Sequence, residues 1–219
     1  MSVSGQSPIR TWLPDFSTAG AVKKGEVEMV AAVALKSSKA AAVMRGLARM
    51  WQIDLEDERV VRLAQSLGAD VAFFLYEVPS YLDGRGDVLR ETFAPFSVPV
   101  VLVKPDQGVS TGACYRLLDE MATPAPQVEP MLEALRACDV PGALAAVANN
   151  MEPAALQLAP AIAEVFAFLQ DSGACQAGPL LCGSGSCVCA FMGDLAVAER
   201  LSVQAREHGW WACASTTLA

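Results

Sequence analysis

Three short segments carry residue types that could do chemistry. In Cys182-Gly183-Ser184-Gly185-Ser186, two glycines let the backbone turn tightly and approach a ligand closely. Successive amides in such a turn can form a concavity for an anion. The plainer reading is a glycine-rich hairpin loop. Lys36-Ser37-Ser38 stands before an alanine-rich stretch. At a helix start its amides and the positive dipole end attract phosphate, with Lys36 adding charge. Ordinary capping by Ser37 or Ser38 is the commoner use of such residues. Asp70 follows Gly68 and precedes an apolar run. A carboxylate held there suits a general base toward a hydroxyl. A simple cap or turn residue is the alternative.

Other constellations carry less. Cys182, Cys187 and Cys189 lie close together, but zinc needs a fourth ligand and different spacing. No metal site is expected, and small-residue packing explains the thiols better. His208 is the single histidine, so a Ser/His/Asp triad has no support. No G-x-x-x-x-G-K-[ST] segment occurs, which excludes a P-loop. Arg85-Gly86-Asp87 reads as part of a hairpin turn.

Elements must position these residues. Residues 1–25 show no periodicity, with Pro8 and Pro14 among scattered Ser and Gly. Glu26 to Leu35 reads as a strand. Ala40, Val43, Met44, Leu47, Met50 and Trp51 have helical spacing, with the start at Ser37 or Ser38. A second helix is expected after Asp54, with Gly68 ending it. VAFFLY (71–76) has strand length, and Asp83-Gly84 reads as the turn of a hairpin. Proline and loop residues around 93–97 divide the chain into 1–95 and 96–219. The second part starts with the buried-type strand VPVVLVK (98–104) and a helix near 110–120. A helix bearing Ile162, Val165, Phe166 and Leu169 comes later, then the strand CVCAF (187–191). A helix near 194–206 and the strand-like WWACAS (210–215) close it. The irregular alternation points to an α+β fold.

Composition narrows the class. Of 219 residues, 53% are hydrophobic and 18% charged, so a sizeable core is possible and disorder is not expected. Net charge is −8 without a basic cluster, which disfavours nucleic acid and anionic membranes. No apolar run reaches the roughly 20 residues of a bilayer span. The opening residues do not read as a secretory signal, so a cytoplasmic protein with reduced thiols is expected.

The order SSKAAAVMRGLARMW, LGADVAFFL, DGRGDVL, VLVKPDQGVSTGACYRLLD, NNMEPAAL, GSGSCVCAF resembles the GHMP small-molecule kinases. The resemblance runs from about Val30 to the C-terminus. It is nearest the branch acting on a cytidine diphosphate-linked methylerythritol in non-mevalonate isoprenoid synthesis. It implies an N-terminal lobe like ribosomal protein S5 domain 2, here incomplete, and a ferredoxin-like C-terminal lobe. It also implies ATP with Mg2+ in the cleft between lobes and a small-molecule substrate. By the same resemblance, Asp70 matches the catalytic aspartate and Val30 to Ala40 the phosphate loop. Gly183, Ser184, Gly185 and Ser186 match the loop beside the nucleotide, as Ser37 and Ser38 match what remains of the phosphate loop, while Lys36 replaces a loop residue and is a candidate through its charge.

Departures accompany the matches. The family's phosphate loop, approximately P-x-x-x-G-L-x-G-G-S-S-[DN]-A-A-A, reads here MVAAVALKSSKAAA without a glycine. The proline expected after GADV is Ala72, and Glu77 and Val78 replace a usual glycine pair. Neither the opening A-K-[IV]-N-L motif nor a D-G-[YF]-H motif occurs. Part of the first lobe is therefore expected to be missing or replaced, and exposed apolar surface to favour a homodimer. Two readings stay open: an active kinase, and a catalytically impaired paralogue. A kinase of mevalonate-type or homoserine-type alcohols is remoter.

Overall fold

The computed structural model describes residues 31–76, 78–84, 86 and 88–217, the side chains of 31–39, 69 and 70 excepted. The irregular 1–25 segment, the first part of the expected 26–35 strand, Glu77, Arg85 and Asp87 lie outside the described residues. The chain divides between Pro95 and Phe96 into two units.

The first unit contains α1 (Ala31–Trp51), α2 (Glu58–Leu67), α3 (Ala69–Phe73) and a hairpin of β1 (Ser80–Asp83) and β2 (Val88–Thr92). Two expectations fail here. The strand foreseen to Leu35 is helix from Ala31 onward, and α1 starts well before Ser37. Its first twelve residues hold six alanines and no glycine or proline, a composition that favours helix. The strand foreseen over 71–76 is instead α3 and a following turn. A six-residue apolar run fits either period. Packing decides: Val71, Ala72 and Leu75 are buried together against Ala41 of α1 and Ala64 of α2. The small side chains at 41, 64 and 72 let the three helices approach closely. Arg45 Nη1 donates to the Phe74 carbonyl at 2.8 Å, tying α1 to the end of α3.

The cap of α2 is Asp57 rather than Asp54. Asp57 Oδ1 accepts the Arg59 amide at 2.8 Å, while Asp54 closes a turn by accepting the Glu56 amide. The Arg59 side chain and amide hold the Asp57 carboxyl down to about 2. A carboxyl whose folded value lies below its unfolded one adds stability above the unfolded value, and that stability is lost as pH falls toward the folded one. The α2 region should therefore loosen between pH 4 and pH 2. NMR titration of Asp57 checks this, and a midpoint near the ordinary 3.8 contradicts it.

Beyond this core, α1 exposes Val43, Leu47, Met50 (74%) and Trp51 (62%), and α2 exposes Leu63 and Leu67. These positions recur at intervals of three and four, so each helix carries an uncovered apolar stripe.

The second unit is a four-stranded antiparallel sheet with helices. Its strands are β3 (Pro99–Lys104), β4 (Leu180–Leu181), β5 (Val188–Phe191) and β6 (Trp211–Thr216), in spatial order β4-β5-β3-β6. Between β3 and β4 run α4 (Thr111–Met121), α5 (Glu129–Arg136), α6 (Val140–Ala145), α7 (Glu152–Leu158) and α8 (Ala161–Asp171); α9 (Leu195–Glu207) joins β5 to β6. The first and last strands thus lie side by side and the hairpin pairs on the other edge of β3, a βαββαβ arrangement of ferredoxin type. Val101, Val103, Val188 and Ala190 turn one sheet face toward Ile162, Val165 and Leu169 of α8 and Ala198, Leu201 and Ala205 of α9, all buried. Burying each large aliphatic side chain contributes roughly 1.5–3 kcal/mol, which anchors the sheet that carries the glycine loop.

Candidate functional site

Gly183–Ser186 form the turn between β4 and β5. The Cys182 amide donates to the Cys187 carbonyl at 2.8 Å, and the Gly185 amide donates back to the Cys182 carbonyl at 3.0 Å. Gly183 and Gly185 take φ of +58° and +84°. At Gly185 an added Cβ would lie 3.0 Å from Leu181 Cδ1 and 3.4 Å from Ile162 Cδ1, so both conformation and space require glycine.

Two further segments converge on this turn. Asn149, just before α7, donates both amide hydrogens: 2.8 Å to the Leu181 carbonyl and 2.7 Å to the Gly183 carbonyl. Its Oδ1 accepts the Met151 amide at 2.9 Å. Only one amide orientation satisfies all three partners. Glu152 accepts from the Leu181 amide; burial pushes its carboxyl up, and that hydrogen bond opposes the rise. The segment Asn149–Glu152 thus holds both polar groups of Leu181. From the other side, Thr111 Oγ1 shares a 2.9 Å hydrogen bond with Ser184 Oγ. Ser110 caps the helix that Thr111 begins.

Ser186 is 2% exposed, and its Oγ finds no hydrogen-bond partner. A buried hydroxyl without a partner costs about 1–3 kcal/mol. The turn thus combines open space at Gly183, a pinned root and an unused hydroxyl, a combination suited to receiving a polar ligand.

The remaining candidates fall in the other unit. Lys36, Ser37 and Ser38 lie in the second turn of α1. In a helix beginning at Ala31, amides from residue 35 onward bond to carbonyls four residues back. The expected phosphate-binding amides at a helix start are therefore absorbed into the helix, because the glycines that would interrupt it are gone. Any contribution from these three residues has to come through side chains. Asp70 is the second residue of α3; its side chain lies outside the described residues.

Two minor features also resolve. His208 closes α9 and stacks on Trp210, ring centroids 4.8 Å apart, with Phe168 edge-on. Among the described residues, no group of three or more His, Cys, Asp or Glu side chains is arranged to hold a metal ion. Neither Asn149 nor Thr111 received a role from the sequence. The available signal was Asn-Asn-Met-Glu-Pro before a helix, where an asparagine side chain commonly bonds the backbone two residues on.

Residues 131–209, from α5 to the end of α9, match the family described as GHMP kinases C terminal. This part of the chain is similar to the C-terminal region of GHMP kinases. Curated kinases of 4-diphosphocytidyl-2-C-methyl-D-erythritol resemble it along most of its length. That of Exiguobacterium sibiricum is 32% identical over 176 residues, 80% of this chain and 61% of its own. That of Bacillus velezensis is 34% identical over 174 residues, 76% of this chain and 60% of its own. A crystal structure of 4-(cytidine 5'-diphospho)-2C-methyl-D-erythritol kinase superposes with TM-score 0.66 at 31% identity, covering 82% of this chain and 63% of that one. Homoserine kinase from Cytophaga hutchinsonii superposes with TM-score 0.58 at 19% identity, a likeness of fold alone. The chain spans about three fifths of the length of the curated kinases it matches.

Proposed function

We propose that the chain phosphorylates a hydroxyl of 4-diphosphocytidyl-2-C-methyl-D-erythritol at the expense of ATP. The reading rests on the 32% identity with the Exiguobacterium sibiricum kinase across 80% of this chain. The convergence of three of the shared segments on one turn agrees with it: VSTG supplies Thr111, NNMEP supplies Asn149, and GSGS supplies the turn.

The residues present fit a nucleotide at that turn. The space around Gly183 leaves room, and Ser186 Oγ is an unused hydrogen-bonding group. ATP with Mg2+ would supply the phosphoryl group and positive charge to offset that of its phosphates. In this reading Gly183–Ser186 orient the nucleotide and Asn149 keeps their backbone in place. Lys36, Ser37 and Ser38 contribute side-chain contacts to phosphate. Asp70 engages the accepting hydroxyl and takes its proton, since transfer of this kind depends on alignment and charge placement rather than covalent help.

Direct assay tests this: full-length protein, Mg-ATP and 4-diphosphocytidyl-2-C-methyl-D-erythritol, with product followed by phosphorus NMR. Stoichiometric conversion over several turnovers is expected. No product at saturating Mg-ATP overturns the reading and leaves the impaired paralogue. A thermal shift with Mg-ATP then separates binding without turnover from no binding, because a ligand selective for the folded state raises apparent stability.

The same reading takes the protein to be cytoplasmic and a homodimer. The apolar stripes of α1 and α2 support the dimer, since a second copy would remove them from water. Sedimentation equilibrium should give twice the chain mass, and Met50→Lys with Trp51→Lys should return it to a monomer. A wild-type monomer at all concentrations rules the dimer out.

A further inference from the structure

The sheet of the second unit carries its thiols on the face opposite the α8–α9 core. Val188 and Ala190 face that core, so Cys187 and Cys189 point the other way. The register Leu180↔Cys189 and Leu181↔Val188 sets Cys182 directly across from Cys187, and the 2.8 Å bond from the Cys182 amide to the Cys187 carbonyl confirms it. Cys213 lies on the same face, two strands over, through Leu102. All seven cysteines are free.

Strand geometry singles out one pair. Residues directly opposed in a hydrogen-bonded antiparallel pair have Cα atoms about 5.5 Å apart, within the 4.4–6.8 Å that a disulfide spans. The diagonal neighbour Cys189 stands roughly 7–8 Å away, beyond that range. Access differs as well: Cys182 is half-buried, whereas Cys187 and Cys189 are buried. The neighbouring Cys187 and Cys189 thiols favour the Cys182 thiolate and hold the Cys182 thiol below its ordinary value. The same contacts, with burial, push Cys187 and Cys189 up, while Lys104 beside Cys187 opposes that rise.

We propose that Cys182 and Cys187 form a peroxide-reactive dithiol that closes a disulfide at the root of the Gly183–Ser186 turn. The Cys182 thiolate attacks one oxygen of hydrogen peroxide and the O–O bond breaks. Cys182 becomes a sulfenic acid, and the departing hydroxide takes a proton to leave as water. Cys187 gives up its thiol proton and attacks the Cys182 sulfur; the S–S bond forms and the S–O bond breaks, releasing a second water. Two thiols lose two electrons and two protons in total, and one peroxide is reduced to two waters. Cys189 lies diagonally across from Cys182 and does not enter the bond.

The proposal stands apart from phosphoryl transfer and is tested without it. Reduced full-length protein is treated with hydrogen peroxide, quenched at intervals, alkylated and mapped by mass spectrometry. Cys182 and Cys187 should lose alkylation together, with the intact chain two hydrogens lighter, and dithiothreitol should restore both. Exposed Cys138 is the internal reference, and Cys182 should react about tenfold faster, as expected for a thiol with more thiolate character. In Cys187→Ser, oxidation should stop at a Cys182 sulfenic acid that dimedone captures. Circular dichroism checks that the variant folds, and the wild-type map stands if it does not. A Cys182–Cys189 bond, or Cys138 oxidising as fast as Cys182, overturns the assignment.

Discussion

Asp70→Asn should lower turnover of 4-diphosphocytidyl-2-C-methyl-D-erythritol by about 10²–10⁴-fold, the span expected when a general base is removed. Asparagine has nearly the same size but cannot accept a proton, so the change isolates the chemical role. Stability should scarcely move. Helix α3 is held by buried Val71, Ala72 and Leu75 and by the Arg45 bond to Phe74, all of which the substitution leaves in the sequence. An effect within about 0.5 kcal/mol corresponds to a melting shift of about 2 °C or less for a chain of this size. If Asp70 acts only as turnover proceeds, kcat and kcat/KM should fall together while KM stays put. Wild-type turnover in the variant removes Asp70 from the mechanism. A raised KM with unchanged kcat makes it a substrate-binding residue instead.

The second unit was largely readable in the sequence because its signals are local and agree. Ser110 caps α4 where the helix was expected. The apolar face of Ile162, Val165 and Leu169 is buried as its spacing requires, and Gly173 takes positive φ just past the end of α8. VPVVLVK holds four β-branched valines in seven residues, which tips a short apolar run toward a strand covered on both faces, and β3 is one. The first unit resisted for two reasons. The apolar stretch 26–35 read as a strand before a helix starting at Ser37 or Ser38, but from Ala31 the chain is helix, in keeping with an alanine-rich stretch that lacks glycine through residue 40. VAFFLY is apolar on every side, so neither period is marked; the contacts of α3 with two other helices settle it. The site shows the same division. Glycines mark the turn by type alone. Asn149 acts on backbone carbonyls 32 and 34 residues away, and no spacing rule connects an asparagine to carbonyls that every residue has.

That long-range clamp makes Asn149 the most informative residue outside the chemistry. Asn149→Ala removes three hydrogen bonds at once, two to the turn and one to the start of α7. At about 1 kcal/mol each the loss is about 3 kcal/mol. For a chain of this length that is a melting shift of about 6–12 °C, readable by calorimetry. A second substitution separates the two functions of the side chain. Asn149→Asp keeps an oxygen for the Met151 amide but sets carboxylate oxygens against the Leu181 and Gly183 carbonyls. If the clamp on the turn dominates, the aspartate variant should be at least as unstable as the alanine one. If the cap on α7 dominates, it should approach wild type. The nucleotide reading adds a further consequence. Gly185 is hemmed in by Leu181 and Ile162, so the turn cannot shift without disturbing the core beneath it. Once the Leu181 and Gly183 carbonyls are released, KM for ATP should rise more than kcat falls, because orientation of the nucleotide is lost while the proton acceptor is untouched. A kcat loss with unchanged KM would separate Asn149 from nucleotide positioning and leave it a purely structural clamp.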